Sequence, residues 1–246
     1  QSRSSAASDV YKRQIYRDSL YPGMPNFNDF SSGQENGTHW VPTETDVSIR
    51  PGWYYHPEED SKVKSVSKLI DIYYNSVGLN SSLLLNLPVD KRGLIHENEI
   101  ENLNQLSDYL DQTFSKNYVY KQNIEVSSSV KGFEKMNLID GNLETYWVSR
   151  PDDVKPNFTL NFESPLEANT FMVQEYIQLG QRIQAFTFEI MSNGRWEKVY
   201  EGTTIGNKRL IRFKSKRIDA IRFSVSKFKK QVVLNNIGLY RAPLIN

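Results

Sequence analysis

The sequence has no cysteine among its 246 residues. That excludes disulfides, thiolate metal sites and a thiol nucleophile, and it leaves the redox compartment unreadable. No run of about 18 apolar residues occurs, so no helical membrane span is expected. Nor is there an excess of charge of one sign. Thirty Lys and Arg stand against 29 Asp and Glu, a net charge of +1, which argues against nucleic acid as the main partner. Histidine is scarce, at three, and no spacing of His, Asp and Glu makes a zinc site. What is present is 38% hydrophobic and 24% charged residues, a globular balance able to build a sizeable core. The length suits one large or two ordinary domains.

The near-neutral total hides an asymmetry. Residues 15–115 carry 15 Asp and Glu against 7 Lys and Arg; residues 116–246 carry 13 against 20. A change of sign near residue 116 predicts a domain boundary there, with the basic part docking on the acidic part or, as the other reading, binding a separate anionic ligand. Residues 1–14 (QSRSSAASDVYKRQ) are polar and aperiodic, lack the apolar core of a signal peptide and do not begin with Met. They read as foreign to the fold, which would leave the native start and any targeting signal missing. Residues 15–38, rich in Pro, Gly, Asn and Ser, read as a long loop.

The most informative stretch is His39–His56, HWVPTETDVSIRPGWYYH. Val47 and Ile49 alternate with Asp46, Ser48 and Arg50, which predicts a strand over about 39–49. Two Trp, Glu44, Asp46 and Arg50 along one strand suit the rim of a polar pocket, with Trp faces stacking on a sugar ring and charged groups binding its hydroxyls. The other reading is a half-buried strand with an internal ion pair of Arg50 with Asp46 or Glu44. His39 and His56 read as structural.

A helix is predicted over about 58–76, with Glu58, Glu59 and Asp60 in its first turn, Val63, Val66, Ile70, Tyr73 and Val77 as its apolar stripe, and Gly78 at its end. Residues 82–89, containing LLLNLPV, predict a strand buried on both faces, as in a parallel sheet. Asn86 near its C-terminal end either faces an active site or closes a turn. A second helix follows over about 97–114, with Ile100, Leu103, Leu106, Leu110 and Phe114 on one face. Strand–helix–strand–helix reads as the closing quarter of an α/β barrel, incomplete as it stands. Beyond Tyr118 the period changes. The runs NFTLNF, NTFMVQEYI, FTFEIM, WEKVYEG, LIRF, AIRFSV and NIGLY, separated by turn residues, predict an antiparallel β-sandwich.

Three linked pieces resemble the family 29 α-L-fucosidases: WVPTETDVSIRPGWYYH, LIDIYYNSVGLNSSLLLNLPVDKRGLIHENEI and the sandwich that follows. The sandwich resembles discoidin-like, or coagulation-factor type C, domains through NLIDGNLETYW with LIRF and AIRFSV downstream. The resemblance implies the C-terminal end of an incomplete (β/α)8-type barrel over 15–116, then a jelly-roll sandwich over 117–246. It implies an exo-acting retaining glycosidase, periplasmic or secreted, without a cofactor, whose partner is a fucosylated oligosaccharide or glycoconjugate. The family's nucleophile, in a Trp-x-Asp-like motif, and its acid/base both precede the strand that matches here. No Trp stands before Trp40, so the 246 residues are expected to lack the catalytic pair and to be inactive alone. Trp40, Glu44, Arg50 and Trp53 are expected to bind substrate, with Glu44 also a lesser candidate for the acid/base. In type C domains a turn like Asp140, Asn142 and Thr145 often helps hold calcium with a Glu near the C-terminus. Here NNIGLY has no Glu, so metal binding is not expected. Two other functions stay open: a non-enzymatic carbohydrate-binding protein acting through the sandwich, and a different retaining glycosidase.

Overall fold

The computed structural model describes residues 40, 42–120 and 122–244. The expectations for residues 1–38, and for His39, lie outside these. The first part is mixed α/β. Strand β1 (Thr43–Ser48) pairs in parallel with β2 (Ser81–Asn86), Glu44 opposite Ser82 and Ser48 opposite Asn86. Between them run a 3-10 turn (Pro57–Lys62) and helix α1 (Val66–Ser76); α2 (Glu97–Phe114) follows β2. The parallel crossover through a helix is what the sequence period predicted.

Two expectations need correction here. The helix over 58–76 is two pieces. The backbone at Val63 leaves helical geometry (φ −54°, ψ 134°), and Ser65 then caps α1, its hydroxyl accepting from the Lys68 N–H. The freed carbonyls of Asp60 and Lys64 are taken by Asn98 and Asn102 of α2, so packing against α2 replaces the helical bonds. Second, β2 is not buried on both faces. Leu83 and Leu85 are half-buried, whereas Ser82 is exposed and Leu84 on the other face is 50% exposed. Thr45 and Val47 of β1 border a cleft with Lys68, Asp71 and Ile72 on α1. Strand side chains alternate, so Glu44, Asp46 and Ser48 project from the opposite face. On α2 the buried residues are Glu99, Tyr109 and Thr113, while Ile100 is 45% exposed. Leu106, Leu110 and Phe114 of the expected stripe are partly buried and pack against the core.

The second part is all antiparallel: β3 (Asn123–Val126), β4 (Trp147–Val148), β5 (Asn157–Glu175), β6 (Ile183–Ser192), β7 (Arg195–Gly202), β8 (Arg209–Phe228) and β9 (Val233–Tyr240), ordered β4-β9-β5-β8-β6-β7 with β3 on β5. NFTLNF and NTFMVQE, expected as separate strands, are one strand of 19 residues, and LIRF and AIRFSV are one of 20. Their pairing shifts register between Asn161 and Leu166 and again between Ala168 and Thr170. Bulges bend a ladder without ending it. The first half of β5 thus pairs with β3, the second with β9. The two halves fold into facing layers, a β-sandwich. Phe171 of one layer stacks on Phe188 of the other, with ring centroids 4.0 Å apart, and Phe223 joins both Phe158 and Phe186.

The two parts touch through Ile70 and Tyr74 of α1, Tyr109 and Phe114 of α2, and Met172, Leu210 and Tyr240 of the sandwich. The ion pair Arg212–Asp71 (2.8 Å) rims this cluster. Backbone approach is close: the Leu210 N–H donates to Gly78 O at 2.8 Å, and a Cβ on Gly78 would sit 3.1 Å from the Leu210 Cβ. Glu175 ends β5 inside the sandwich, 2% exposed. Its carboxylate accepts the N–H groups of Arg182, Ile183 and Gly206 at 2.7–2.9 Å. Next in chain, the Asn207 N–H donates to the Asn80 side chain at 2.6 Å, just before β2 begins.

Candidate functional site

Both strands of the parallel pair point their C-terminal ends at one loop, residues 49–56, which the strand pattern and Pro51-Gly52 release from the sheet. The loop is held at nearly every residue. The Ser48 hydroxyl donates to Gly52 O at 2.6 Å, and the Asn86 amide donates to Trp53 O at 3.0 Å and to the Ser48 hydroxyl at 3.2 Å. Of the two readings of Asn86, the hydrogen bonds support the one in which it closes the turn, and that turn carries Trp53. The Lys64 ammonium donates to the carbonyls of Ser48 (2.6 Å) and Arg50 (3.1 Å), and burial lowers its pKa.

Arg50 is fully buried. Its Nε donates to Glu99 of α2, Nη1 to His56 O at 3.2 Å and Nη2 to Asp60 at 2.9 Å, while the guanidinium lies 4.5 Å from the Tyr55 ring centre. Desolvation works against its charge, but Glu99 and then Asp60 outweigh it and hold its pKa above the ordinary value. The expected partners Asp46 and Glu44 are therefore corrected to Glu99 and Asp60. Each of its three nitrogens thus donates to a protein group and the side chain has no exposed surface, so Arg50 shapes the loop from within. His96 completes the cluster. Its Nδ1 accepts the Asn98 N–H, which leaves the Nε2 proton facing Asp60 at 3.3 Å. Beside it Tyr55, Asp90, Arg92 and His96 line a cleft of about 230 Å³. Hydrogen bonds from Arg92 hold the Asp90 carboxyl below its usual range.

The structure does not bring the four expected substrate-binding residues together. Trp53 (39% exposed) and its neighbour Tyr54 (79%) project from the loop. Glu44 is the second residue of β1, four before Ser48, on the order of 13 Å away at ~3.3 Å per residue. Trp40 precedes β1, toward the opposite end, and its indole N–H is buried with no hydrogen-bond partner among the described residues. Sequence reading missed Glu99, Asp60 and His96. The signal for Glu99 was present in the spacing of Glu99, Asn102, Leu106, Tyr109 and Thr113, a helical stripe that begins on a carboxylate.

The turn Asp140–Thr145 is closed on itself. Asp140 accepts the Asn142 N–H (2.8 Å) and the Thr145 hydroxyl (2.6 Å), and the Asn142 side chain accepts the Glu144 N–H (3.1 Å). From β9, Asn235 points an amide N–H at Leu143 O (3.0 Å). A calcium ion needs about six to eight oxygens turned toward it; here Asp140 and Asn142 accept hydrogen bonds within the turn, and β9 contributes Asn235, whose amide N–H goes to Leu143 O and whose Oδ1 is buried with no partner among the described residues, but no carboxylate. No group of three or more His, Asp or Glu able to hold a metal occurs among the described residues.

Residues 5–115 match the Alpha-L-fucosidase family and residues 123–240 match the F5/8 type C domain. The first region is thus similar to the α-L-fucosidases, which are glycoside hydrolases, and the second to F5/8 type C domains. The match begins at residue 5, within the segment read above as foreign. Alpha-L-fucosidase 1 of Arabidopsis thaliana is 38% identical over 216 residues, covering 85% of this chain and 42% of that protein. The chain thus spans about two fifths of the curated relative. Among solved structures, a putative α-L-fucosidase from Bacteroides thetaiotaomicron superposes with a TM-score of 0.83 at 32% identity, over 88% of this chain and 48% of its own. A Ruminococcus gnavus fucosidase in complex with fucose gives 0.81 at 28%, over 87% and 44%. No helix among the described residues is long and apolar enough to cross a membrane.

Proposed function

We propose that this α-L-fucosidase region and its sandwich form the C-terminal part of an exo-acting, retaining enzyme that removes terminal α-L-fucose from glycans, and that the 246 residues alone do not turn over. The observation that carries the reading is the parallel pair β1–β2, covered by helices on one face, with the Trp53 loop at the C-terminal ends of its strands. In a barrel of parallel strands that end is where catalytic groups gather. The open face bearing Glu44, Asp46 and Leu84 would then look into the barrel, closed by strands that precede this region. Retention requires two carboxylates about 5–5.5 Å apart on either side of the anomeric carbon. On the resemblance, both come from those earlier strands.

The residues here bind and orient. Trp53 offers a ring face to the C–H surface of the sugar; Asn86 holds its carbonyl, and Ser48 and Lys64 hold the loop backbone around it. Glu44, near the start of β1, lies toward the end of the barrel remote from the chemistry. Opposite charge, as in Arg212–Asp71, and the aromatic cluster beneath it dock the sandwich on the barrel part.

The test uses the full-length protein and an aryl α-L-fucoside, with proton NMR of the first sugar released. Hydrolysis that yields α-fucose first is expected. β-Fucose first, or cleavage of another aryl glycoside with fucosides untouched, would overturn the assignment.

A further inference from the structure

We propose that Glu99 of α2 is a positioning residue: through Arg50 it fixes the loop that presents Trp53 to the sugar. The inference rests on the reading of Trp53 as a sugar platform, but its geometry stands independently. A stacking ring is useful only if it is held to a fraction of an ångström, and a loop containing Pro51 and Gly52 does not hold itself. His56 stands six positions after Arg50, and the guanidinium of the first grips the carbonyl of the last. It also supports the Tyr55 ring within the same loop and reaches Asp60 beyond it. One rigid fork therefore ties the start, middle and end of the turn.

What aims that fork is Glu99. It comes from another element, 49 residues later, is fully buried and takes the Nε that sets the plane of the guanidinium. Its place as the third residue of α2 fixes it to a helix whose first turn also reaches back through Asn98 to Asp60 O. The other Glu99 oxygen is buried with no hydrogen-bond partner among the described residues. A carboxylate so placed is costly for folding alone, which suits a group kept for the geometry it imposes. Without it, the buried Arg50 keeps Asp60 but loses the constraint on its plane, and the turn between Arg50 and His56 relaxes with Trp53 on it.

The experiment replaces Glu99 in the full-length protein and measures kcat and KM with an aryl α-L-fucoside, together with thermal stability. Glu99→Gln keeps an acceptor for Arg50 and Glu99→Ala removes it. KM should rise on the order of tenfold in the Gln variant and further in the Ala variant, with kcat changed less than about threefold, the pattern of lost binding. Asp60→Asn, acting on the same guanidinium, should move KM in the same direction. Asp71→Asn, which removes an exposed ion pair elsewhere, should not. A second readout does not depend on fucose. In the 246-residue chain carrying Trp40→Phe and Trp196→Phe, acrylamide should quench Trp53 more strongly once Glu99 is Gln. If Glu99→Gln lowers stability but leaves KM and quenching at the wild-type values, Glu99 is only structural and the proposal is wrong. If kcat collapses with KM unchanged, it is also wrong. If the wild-type enzyme does not act on fucosides, the functional reading fails, and quenching alone decides the positioning role.

Discussion

Replacing Glu175 with Gln should remove a pH dependence of stability built into the sandwich. Glu175 is buried where water cannot solvate a charge, and that desolvation raises its pKa from 4.5 to about 7, although three backbone N–H donors favour the ionised form. The folded chain thus holds the proton more tightly than the unfolded chain. Between pH 4.5 and about 7 the unfolded state binds fewer protons than the folded state, so this group's contribution falls as pH rises through that window and is level on either side. At ~1.4 kcal/mol per pH unit the change is on the order of 3 kcal/mol, which for a chain of this size moves the melting temperature by roughly 6–12 °C. In Glu175→Gln the amide oxygen can still accept from Arg182 and Ile183, but its NH2 meets the Gly206 N–H, donor against donor. That offset is the same at every pH. The informative quantity is how the melting-temperature gap between variant and wild type changes from pH 4 to pH 8, read by circular dichroism. The gap should move in favour of the variant by the amount given. Parallel curves, or a gap that moves the other way, would refute the reasoning and show that the three N–H donors win over burial.

Phe171→Ala should cost about 3–5 kcal/mol, because its ring stacks on Phe188 across the sandwich; Val154→Ala, at a residue 78% exposed, should leave the same urea midpoint unchanged. Gly206→Ala should lose at least about 1–2 kcal/mol in a thermal melt, since Gly206 has φ +65° and an added Cβ would meet the Asn80 amide at 2.3 Å. Calorimetry with Ca²⁺ should give no binding heat; submicromolar binding would mean that the Asp140 turn opens around an ion.

Much of the fold was legible because period decides it. The extent of α2 was readable from its apolar spacing, and the two parallel strands from their composition. The first helix was misread because Val63, Val66 and Ile70 keep helical spacing across a break. At that break Asn98 and Asn102, far along the chain, take the carbonyls of Asp60 and Lys64. The long bent strands were misread because a bulge needs no turn residue to announce it. At the candidate site, local sequence shows which residues could stack on or bind a sugar, and Trp53 projects from the loop that follows β1. It does not show which charges pair. Asp46 and Glu44 are near Arg50 in sequence but lie back along the strand, while Glu99 is distant in sequence and adjacent in space. Ion-pair choice of that kind is a property of tertiary packing.

The claim at the centre of this account is that residues 40–115 supply a binding wall and not a member of the catalytic carboxylate pair. Glu44 tests it most directly. Full-length wild type and Glu44→Gln should be compared on an activated aryl α-L-fucoside and on a fucoside with a poor leaving group, each with and without azide. The account predicts that any loss is of similar size on both substrates and is not restored by azide. Severe loss on the poor leaving group, mild loss on the activated one and rescue by azide would make Glu44 the acid/base and contradict it.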